Sequence, residues 1–267
     1  MKNTGSLQPA QPVRASQTQV AVATPRIVHS NDQPARPKPL LRKFEATYLA
    51  ANGDIMDLSR LAPAKAVFED AFSAFARGCL ISTPNGQTAI EDLWPGDKVN
   101  TVSHGPLPLL WKGTMMVVPD APGQDEDMGR LTRLPTDSFG MGRPAPDLLL
   151  GPRARILHRA ADLTAMIGTD AALIHARSFV DGMSVIEVTP PSPVPVFHLG
   201  FSRHCMVIAN GMEVESYHPG GQLGSVLTGD MLGLYLSLFP HVKRLGDFGP
   251  LAYPRLTFEE LNSLRSA

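Results

Sequence analysis

The stretch AFARGCLISTPNGQTAIEDLWPGDKV, residues 74–99, decides the fold class of this chain. Its apolar runs are short, and two turn signals separate them, Pro84-Asn85-Gly86 and Pro95-Gly96-Asp97. Turns spaced this closely leave room for short strands but not for long helices. We therefore expect residues 74–99 to form β-strands joined by tight turns.

The same alternation of short strands and turns continues to about residue 218. The segments predicted as strands are LPLLW, TMMVV, DLLL, RILH, VIEV, VFHLGF and CMVIANGMEVES. Strands that follow one another without long helices between them are typical of all-β domains, whereas alternating strands and helices would indicate a parallel sheet. The sequence therefore predicts an all-β core.

Two elements are predicted ahead of this core. A hairpin is expected around Asn52-Gly53, because this dipeptide between two apolar stretches is the strongest short hairpin signal. Pro63 is expected to open a helix that ends at Gly78. Its apolar residues follow helical spacing and form a packing face: Val67, Phe68, Ala71, Phe72 and Phe75.

Residues 1–43 are predicted to be a disordered tail. They contain six prolines and no aromatic residue, and their apolar positions follow neither the helical nor the strand period. Seven Lys or Arg residues stand against the single acid Asp32, so the tail is basic while the rest of the chain is acidic. A solvated linker is the expected role, with a contact to an acidic face or a partner as the alternative.

Two helices are predicted after residue 220. The first, at about 229–239, is apolar nearly all round and too short to span a bilayer. We expect it to pack into the domain or, as a homodimer contact, into a second copy of the chain. A capping box, Thr257 with Glu260, and a stripe of three apolar residues indicate the second helix. The stripe consists of Phe258, Leu261 and Leu264.

Composition and charge exclude several classes of protein. The net charge of −1 shows no basic excess of the kind that binds nucleic acid. The two cysteines, Cys79 and Cys205, cannot build a disulfide framework or a CxxC site. No apolar run approaches the roughly 20 residues of a membrane span, and the first residues lack the apolar stretch of a secretory signal. A cytoplasmic protein without a cofactor is expected, and non-classical secretion stays open.

Three stretches of the chain together resemble the Hint domain, the module shared by hedgehog autoprocessing domains and inteins. Residues 74–99 resemble the opening of that domain. DLLLGPRARILH at 147–158 resembles the middle block, in which Hint domains carry a Ser/Thr-Pro-x-His element. VFHLGFSRHCMVIANGMEVESYHPG at 196–220 resembles the closing strands. The resemblance is closest to bacterial stand-alone Hint domains and covers residues 74–220.

This resemblance implies a flattened, horseshoe-like all-β fold and a self-cleaving chemistry. In the family, a Cys or Ser at the start of the domain attacks the preceding peptide carbonyl and converts the amide into a thioester or ester. The reaction needs this nucleophile and a proton donor for the departing nitrogen, usually the His of the middle block. Hedgehog domains then transfer the acyl group to an external nucleophile, and inteins resolve it through a terminal His-Asn pair.

The residues of this chain depart from that chemistry at each step. Aligning Gly78 with the family's Gly-Thr dipeptide places Ala74 at the nucleophile position, and a methyl group cannot attack a carbonyl. In the middle block, Gly151 matches the Ser/Thr, and Ala154 stands where the proton-donating His is expected. The intein ending Val-His-Asn corresponds to Val-Glu-Ser at 214–216, which cannot undergo Asn cyclisation.

Four side chains remain as candidate catalytic groups. Cys79 is a thiol close to the expected active site, but its place in an apolar run favours a buried, structural cysteine. Ser73 stands beside Ala74, but it lies in the predicted Phe-lined helix, where a surface serine is expected. His158 and His204 are the candidate proton donors, and a structural role in the β-core is favoured for His204.

One group of residues in the closing block has side chains that can bind metals: His198, His204, Cys205, Glu213, Glu215 and His218. His198 and His204 would share a face of one continuous strand, but Gly200 and Ser202 indicate a turn between them. The closely spaced first ligands of zinc sites are missing, so no metal site is predicted. A metal-dependent hydrolase is therefore the weakest alternative.

The sequence as a whole predicts a Hint-like domain that has lost self-cleavage and serves as a structural or binding module, with its partner unknown. The rival hypothesis is an active autoprocessing domain that forms a thioester at Cys79 or an ester at Ser73, with His158 or His204 as proton donor. Four regions are predicted: the disordered tail at 1–43, the hairpin and helix at 44–73, the Hint-like domain at 74–220 and the helical extension at 221–267.

Overall fold

Two β-sheets carry most of the regular structure of the protein in the computed structural model. The structure describes residue 1, residues 40–161, 163–257 and 259–260, and residue 263. The helices of this part of the chain are short, and most strands follow one another through turns. The prediction of an all-β fold with short flanking helices is confirmed.

The described strands and helices have the following bounds. The strands are β1 (Leu41–Leu49), β2 (Ile55–Pro63), β3 (Phe75–Ala76), β4 (Leu80–Thr83), β5 (Gly86–Ala89), β6 (Lys98–Thr101), β7 (Gly105–Pro108), β8 (Trp111–Val117), β9 (Leu131–Leu134), β10 (Leu148–Leu150), β11 (Arg155–Arg159), β12 (Ala171–His175), β13 (Ile186–Val188), β14 (Val194–Gly200), β15 (Met206–Ala209), β16 (Met212–Glu215) and β17 (Arg255–Leu256). The α-helices are α1 (Ala66–Glu69), α2 (Leu163–Ile167), α3 (Leu223–Val226) and α4 (Gly229–Leu236).

The two sheets have different strand orders. The first sheet has the order β13-β9-β10-β3-β14-β8-β1-β2. The second has the order β17-β12-β11-β16-β15-β4-β5, and β6 joins it by pairing with β15 and β7. Neighbouring strands in the described chain are antiparallel, except that β12 and β17 are parallel. The short strand β3 lies between β10 and β14, so the first sheet brings the opening, middle and closing blocks together.

The N-terminal hairpin forms as predicted. Strands β1 and β2 pair from Leu41 opposite Pro63 to Leu49 opposite Ile55, and Gly53 has the positive φ of 89° that the turn requires. Because β1 also pairs with β8, the hairpin belongs to the first sheet. Strand β1 includes residues 41–43, which the sequence assigned to the disordered tail. Residues 2–39 of the predicted tail lie outside the described residues.

The predicted helix from Pro63 to Gly78 is wrong in extent. Pro63 ends β2, the helix α1 covers only Ala66–Glu69, and Phe75 lies in β3. Phe75 pairs with a strand on each side, β10 and β14, and these long-range backbone bonds outweigh the local helical spacing. The packing role of the Phe stripe holds, since Phe68 and Phe72 are buried.

The segment after residue 220 is only partly helical. Helix α4 and the buried residues Leu238 and Phe239 pack against an apolar cluster of the same chain. The alternative contact, with a second copy of the chain, stays a prediction. Arg255 and Leu256 form β17 at the edge of the second sheet, which corrects the purely helical extension. The N–H of Thr257 donates to Glu260 Oε2 and the N–H of Glu260 donates to Thr257 Oγ1, which are the reciprocal hydrogen bonds of the capping box. The stripe of the predicted last helix lies outside the described residues.

The described helices also bear on membrane insertion. Among them, none has the length and apolar character that crossing a bilayer requires.

Candidate functional site

The backbone at Ser73 and Ala74 is bonded to the middle block on one side and to β14 on the other. The N–H of Arg153 donates to Ser73 O at 3.0 Å, and the N–H of Gly151 donates to Ala74 O at 2.8 Å. From the other side, the Ala74 N–H donates to Phe197 O at 3.0 Å. The segment expected to face the cleavage point therefore contacts it directly through its backbone.

The side chain missing at Gly151 permits this close approach. A Cβ atom at this position would lie 2.3 Å from Ser73 O and 2.7 Å from Ser73 C. Contacts this short with backbone atoms are forbidden, so a Ser or Thr here would push the two segments apart. Glycine is therefore required wherever the chain adopts this arrangement.

Ala74 and Ala154, the positions aligned with the nucleophile and the proton donor, carry only methyl groups. Both are buried, and both belong to the same apolar cluster as Cys79 and Cys205. The contacts at the junction link Ala74 to Gly151, which accepts the N–H of Ala154 at 3.2 Å. His204, a candidate proton donor, makes its polar contacts with Glu215 and Ala252.

The hydroxyl of Ser73 is already bonded. Ser73 is fully buried, and its Oγ donates to Glu69 O at 2.7 Å, at the end of α1. The surface position expected for this serine is wrong, because the chain turns inward after α1 to enter β3. An attack by Oγ would require breaking this bond without water to replace it.

The thiol of Cys79 is buried and weakly acidic. Its Sγ donates to Leu149 O at 3.0 Å. Burial raises the pKa of the Cys79 thiol to about 12, so roughly one thiol in 10⁵ is ionised at neutral pH. The buried position agrees with the structural role favoured from sequence.

His158 lies in β11, opposite Ala172 of β12. Its ring packs 5.4 Å from the ring of Phe179, measured between centroids. Ser73 has other neighbours, Glu69 and Arg153. The contacts described for His158 therefore do not include the candidate nucleophile Ser73.

His204 faces a buried carboxylate. Its Nε2 lies 3.0 Å from Glu215 Oε1, and its Nδ1 accepts the N–H of Ala252 at 2.9 Å. Because Nδ1 accepts an N–H, the ring proton is assigned to Nε2, which lies beside the carboxylate without the orientation of a hydrogen bond. Both nitrogens of His204 are thus occupied by the closing block and the C-terminal segment.

Glu215, which the sequence resemblance aligns with the terminal His of inteins, is the centre of a buried ionic network. Arg155 NH1 lies 3.2 Å from Glu215 Oε2, and Arg255 donates to Glu215 Oε1 at 2.9 Å. Burial acts to raise the pKa of Glu215, but the contact with His204 and the charges of Arg255 and Arg155 outweigh it and hold that pKa far below its usual range. Glu215 is therefore ionised and paired.

The network continues to Asp70, three residues before Ser73. Asp70 Oδ1 lies 3.3 Å from Arg153 Nε, and Asp70 Oδ2 lies 3.9 Å from Arg155 NH2. Asp70 O also lies 3.1 Å from His198 Nδ1. Burial lowers the pKa of His198 to about 4, so its ring is neutral at pH 7. Ionic bonds thus connect α1, the middle block, the closing block and β17.

Sequence reasoning missed the charged members of this network. Asp70, the two arginines of the middle block and Arg255 come from three distant segments of the chain, and nothing local marks these segments as neighbours. The pair of arginines inside the middle block, RAR at 153–155, was the available signal. Arg153 precedes β11 and Arg155 begins it, and two positive charges that are largely buried require carboxylate partners.

The closing-block histidines belong to separate environments. His198 lies between the rings of Phe75 and Tyr217, and the ring of His204 lies 5.1 Å from that of His218. Strand β14 ends at Gly200, so, as the sequence predicted, His198 and His204 do not lie on one continuous strand. In the part of the chain that the structure describes, no three His, Cys, Asp or Glu residues are placed to bind a metal ion.

The Ser216 hydroxyl, at the position of the intein Asn, is buried as well. It accepts the N–H of Cys205 at 3.0 Å. Burial raises the pKa of the Cys205 thiol to about 11, so this cysteine is a protonated core residue.

A cavity of about 450 Å³ lies beside the network. Its lining includes the charged groups of Asp70 and Arg255 and the aromatic ring of Tyr217. Apolar lining comes from Val67, Leu223, Val226 and Leu251. A ligand with both polar and apolar parts fits such a lining.

Comparison with known proteins gives a family match and several similar solved structures, including an intein-like domain and a split intein. The family model described as the Hint domain matches residues 73–221, more than half of the chain. The solution structure of a bacterial intein-like domain from Clostridium thermocellum aligns with 14% identity and a TM-score of 0.37 over 54% of this chain and 99% of that chain. A splice-inactive variant of the AceL NrdHF class 3 split intein aligns with 11% identity and a TM-score of 0.37, over 54% and 97%. No curated protein matches.

Proposed function

Because this chain belongs to the Hint domain family, we propose that it retains the architecture of the self-cleaving module without the cleavage, and that it serves as a structural or binding domain. The observation that carries the proposal is the junction at residues 73–74. The middle block contacts the backbone there through two hydrogen bonds, one to Ser73 O and one to Ala74 O, while the nucleophile and proton-donor positions hold Ala74 and Ala154.

The remaining candidate nucleophiles support the same conclusion. The hydroxyl of Ser73 is bonded to Glu69 O, and the thiol of Cys79 is protonated and bonded to Leu149 O. Nucleophilic catalysis requires a neighbouring base or a lowered pKa, and burial shifts the pKa of Cys79 the other way. An active site that uses either residue would need a different arrangement of the chain.

The ionic network supports a structural role. Where an intein has His and Asn to release its ester, this chain has Glu215 paired with two arginines and Ser216 bonded to Cys205. Such groups tie segments together, since each buried charge is compensated by a partner from another part of the chain. The cavity beside the network provides a place for a ligand in a binding role.

The proposal is tested by the intact mass of the purified chain, before and after incubation with a strong thiol or with hydroxylamine. These reagents capture a thioester or an ester and convert it into a broken chain. We expect a single unbroken mass under every condition. Fragments ending near 73/74 that vanish in a Ser73→Ala variant, or fragments ending near 78/79 that vanish in a Cys79→Ala variant, would establish the active autoprocessing domain instead.

A further inference from the structure

Strand β2 lies at the end of the first sheet. Within the described chain it pairs on one side, with β1, and its nine residues leave the other edge open. Three of its apolar side chains are exposed, Ile55 at 46%, Met56 at 45% and Leu61 at 64%, and Asp57 and Arg60 lie between them. An uncovered edge strand presents unpaired N–H and C=O groups to which another strand can bind.

The hydrogen bonds of the hairpin determine which backbone groups face outward. The N–H of Ala50 donates to Asp54 O, and the N–H of Ala64 donates to Leu40 O. Since bonded positions alternate along an antiparallel pair, the even-numbered residues of β2 bond with β1. The N–H and C=O groups that point to the open edge therefore belong to Ile55, Asp57, Ser59 and Leu61.

The same alternation separates the two faces of the strand. The even positions face the core, where Ala62 is buried and Leu58 packs against the apolar cluster. The odd positions, including Ile55 and Leu61, face outward and form an exposed outer face. A strand added at this edge would extend both faces.

We propose that β2 pairs with the β2 strand of a second copy of this chain, antiparallel, around a two-fold axis at Leu58. In this register Ile55 of each copy lies opposite Leu61 of the other. Asp57 lies opposite Ser59, whose hydroxyl can donate to the carboxylate. Residues 55, 57, 59 and 61 of both copies then satisfy their outward backbone groups.

Other registers of the central part of the strand are unfavourable. A two-fold axis perpendicular to the sheet places one residue of β2, the central residue, opposite its own copy. If the two strands slide along each other, a neighbouring residue becomes the central one. A centre at Asp57 or at Arg60 sets two like charges opposite each other, which destabilises the pair. A centre at Ser59 sets Asp57 opposite Leu61 and Ile55 opposite Pro63, which lacks an N–H.

The pairing is isologous, so it closes after two copies. The interface consists of one strand per copy, which is smaller than the standard size of a stable complex. The dimer is therefore a reversible, concentration-dependent one.

Sedimentation equilibrium of the full chain over a wide range of concentration tests the contact. We expect a monomer–dimer equilibrium for the wild type and a weakening of dimerisation by at least tenfold in Leu61→Lys. The control Met183→Lys places the same charge at another exposed apolar position, where Met183 is 86% exposed, and should leave the equilibrium unchanged. A wild type that stays monomeric at all concentrations, or a dimer that survives Leu61→Lys, would overturn the proposal.

Cross-linking tests the register. In the proposed dimer the two copies of residue 58 form a pair without backbone hydrogen bonds, with Cα atoms about 4.5 Å apart, within disulfide range. Residue 59 is displaced from its own copy along the strands. Mild oxidation should therefore give a covalent dimer of Leu58→Cys and none of Ser59→Cys, since Cys79 and Cys205 are buried. Equal cross-linking of the two variants would contradict the register, and the sedimentation of reduced Leu58→Cys checks that it still dimerises.

Discussion

At the scale of single residues, the close approach at Gly151 makes the junction sensitive to one methyl group. Gly151→Ala places Cβ 2.3 Å from Ser73 O, so the backbone of one segment must move. We expect the free energy of unfolding to fall by about 1–3 kcal/mol, as overpacking in a tight site does. Urea denaturation followed by circular dichroism measures the change.

The matched control is Gly221→Ala, because a Cβ there meets no atom within 4 Å. Its stability should stay within about 0.5 kcal/mol of the wild type. Equal stability of the two variants would show that the segments at 73–74 and 151–153 do not approach as closely as described.

Glu215 determines a second prediction at this scale. Glu215→Gln removes the charge that compensates Arg155 and Arg255, and removing one partner from buried ion pairs destabilises by about 3–5 kcal/mol. Since the pKa of Glu215 is lowered in the folded chain, its contribution is present above the unfolded value near 4.5 and is lost as the pH falls below it. The stability difference between variant and wild type should therefore shrink on acidification below that pH.

The control for this change is Glu213→Gln, two residues away. Glu213 lies 3.4 Å from Arg159, and the side chain of that arginine is 42% exposed. An exposed pair of this kind contributes up to about 1 kcal/mol. If both variants lose stability equally and with the same pH dependence, the network is not the special contact that we describe.

At this scale the sequence predicted part of the site. The resemblance aligns Ala74 with the Cys or Ser nucleophile of the family and Ala154 with its proton-donating His, and a methyl group can perform neither role. The partners of Glu215 were not identified, because Arg155 and Arg255 reach it across a fold that brings distant segments together. The burial of Ser73 was missed because it depended on where α1 ended.

At the scale of elements, local signals predicted turns better than helix ends. The Asn52-Gly53 hairpin formed because the turn residue itself requires a positive φ. The Phe stripe predicted a long helix, but Phe75 joined a sheet through backbone bonds to residues far along the chain. Strands β9 and β12 had no distinct sequence signal, and their pairing with β10 and β11 defines them.

Helix α4 supplies a prediction for the element that follows the closing block. Phe239, just beyond the helix, is fully buried, and its ring lies 4.9 Å from that of Trp111 and 5.1 Å from that of Tyr217. Phe239→Ala should lower the free energy of unfolding by about 3–5 kcal/mol, because it leaves a cavity in the aromatic cluster. Val226→Ala, at an exposed position, is the control in the same denaturation experiment. A negligible effect of Phe239→Ala would show that this segment does not pack into its own domain.

At the scale of the whole molecule, the fold places the middle block against the backbone at Ser73 and Ala74, and we propose that this arrangement is a cleavage site whose reactive groups are missing. The backbone bond from Arg153 to Ser73 O still reaches the oxygen that would become anionic during attack at this carbonyl. The all-β class followed from the spacing of turns. The ionic connection between α1 and β17 required the complete fold, because its charges come from segments that have no common local pattern.

The central claim is that self-cleavage is absent because positions 74 and 154 lack their reactive groups. Intact mass spectrometry in the presence of dithiothreitol tests it on three folded chains: wild type, Ala74→Cys and Ala74→Cys/Ala154→His. We predict an unbroken wild type, little cleavage of the single variant, and cleavage after Ser73 in the double variant, since general acid catalysis contributes about 10²- to 10⁴-fold. Cleavage of the wild type, or equal rates for the single and double variants, would contradict the claim.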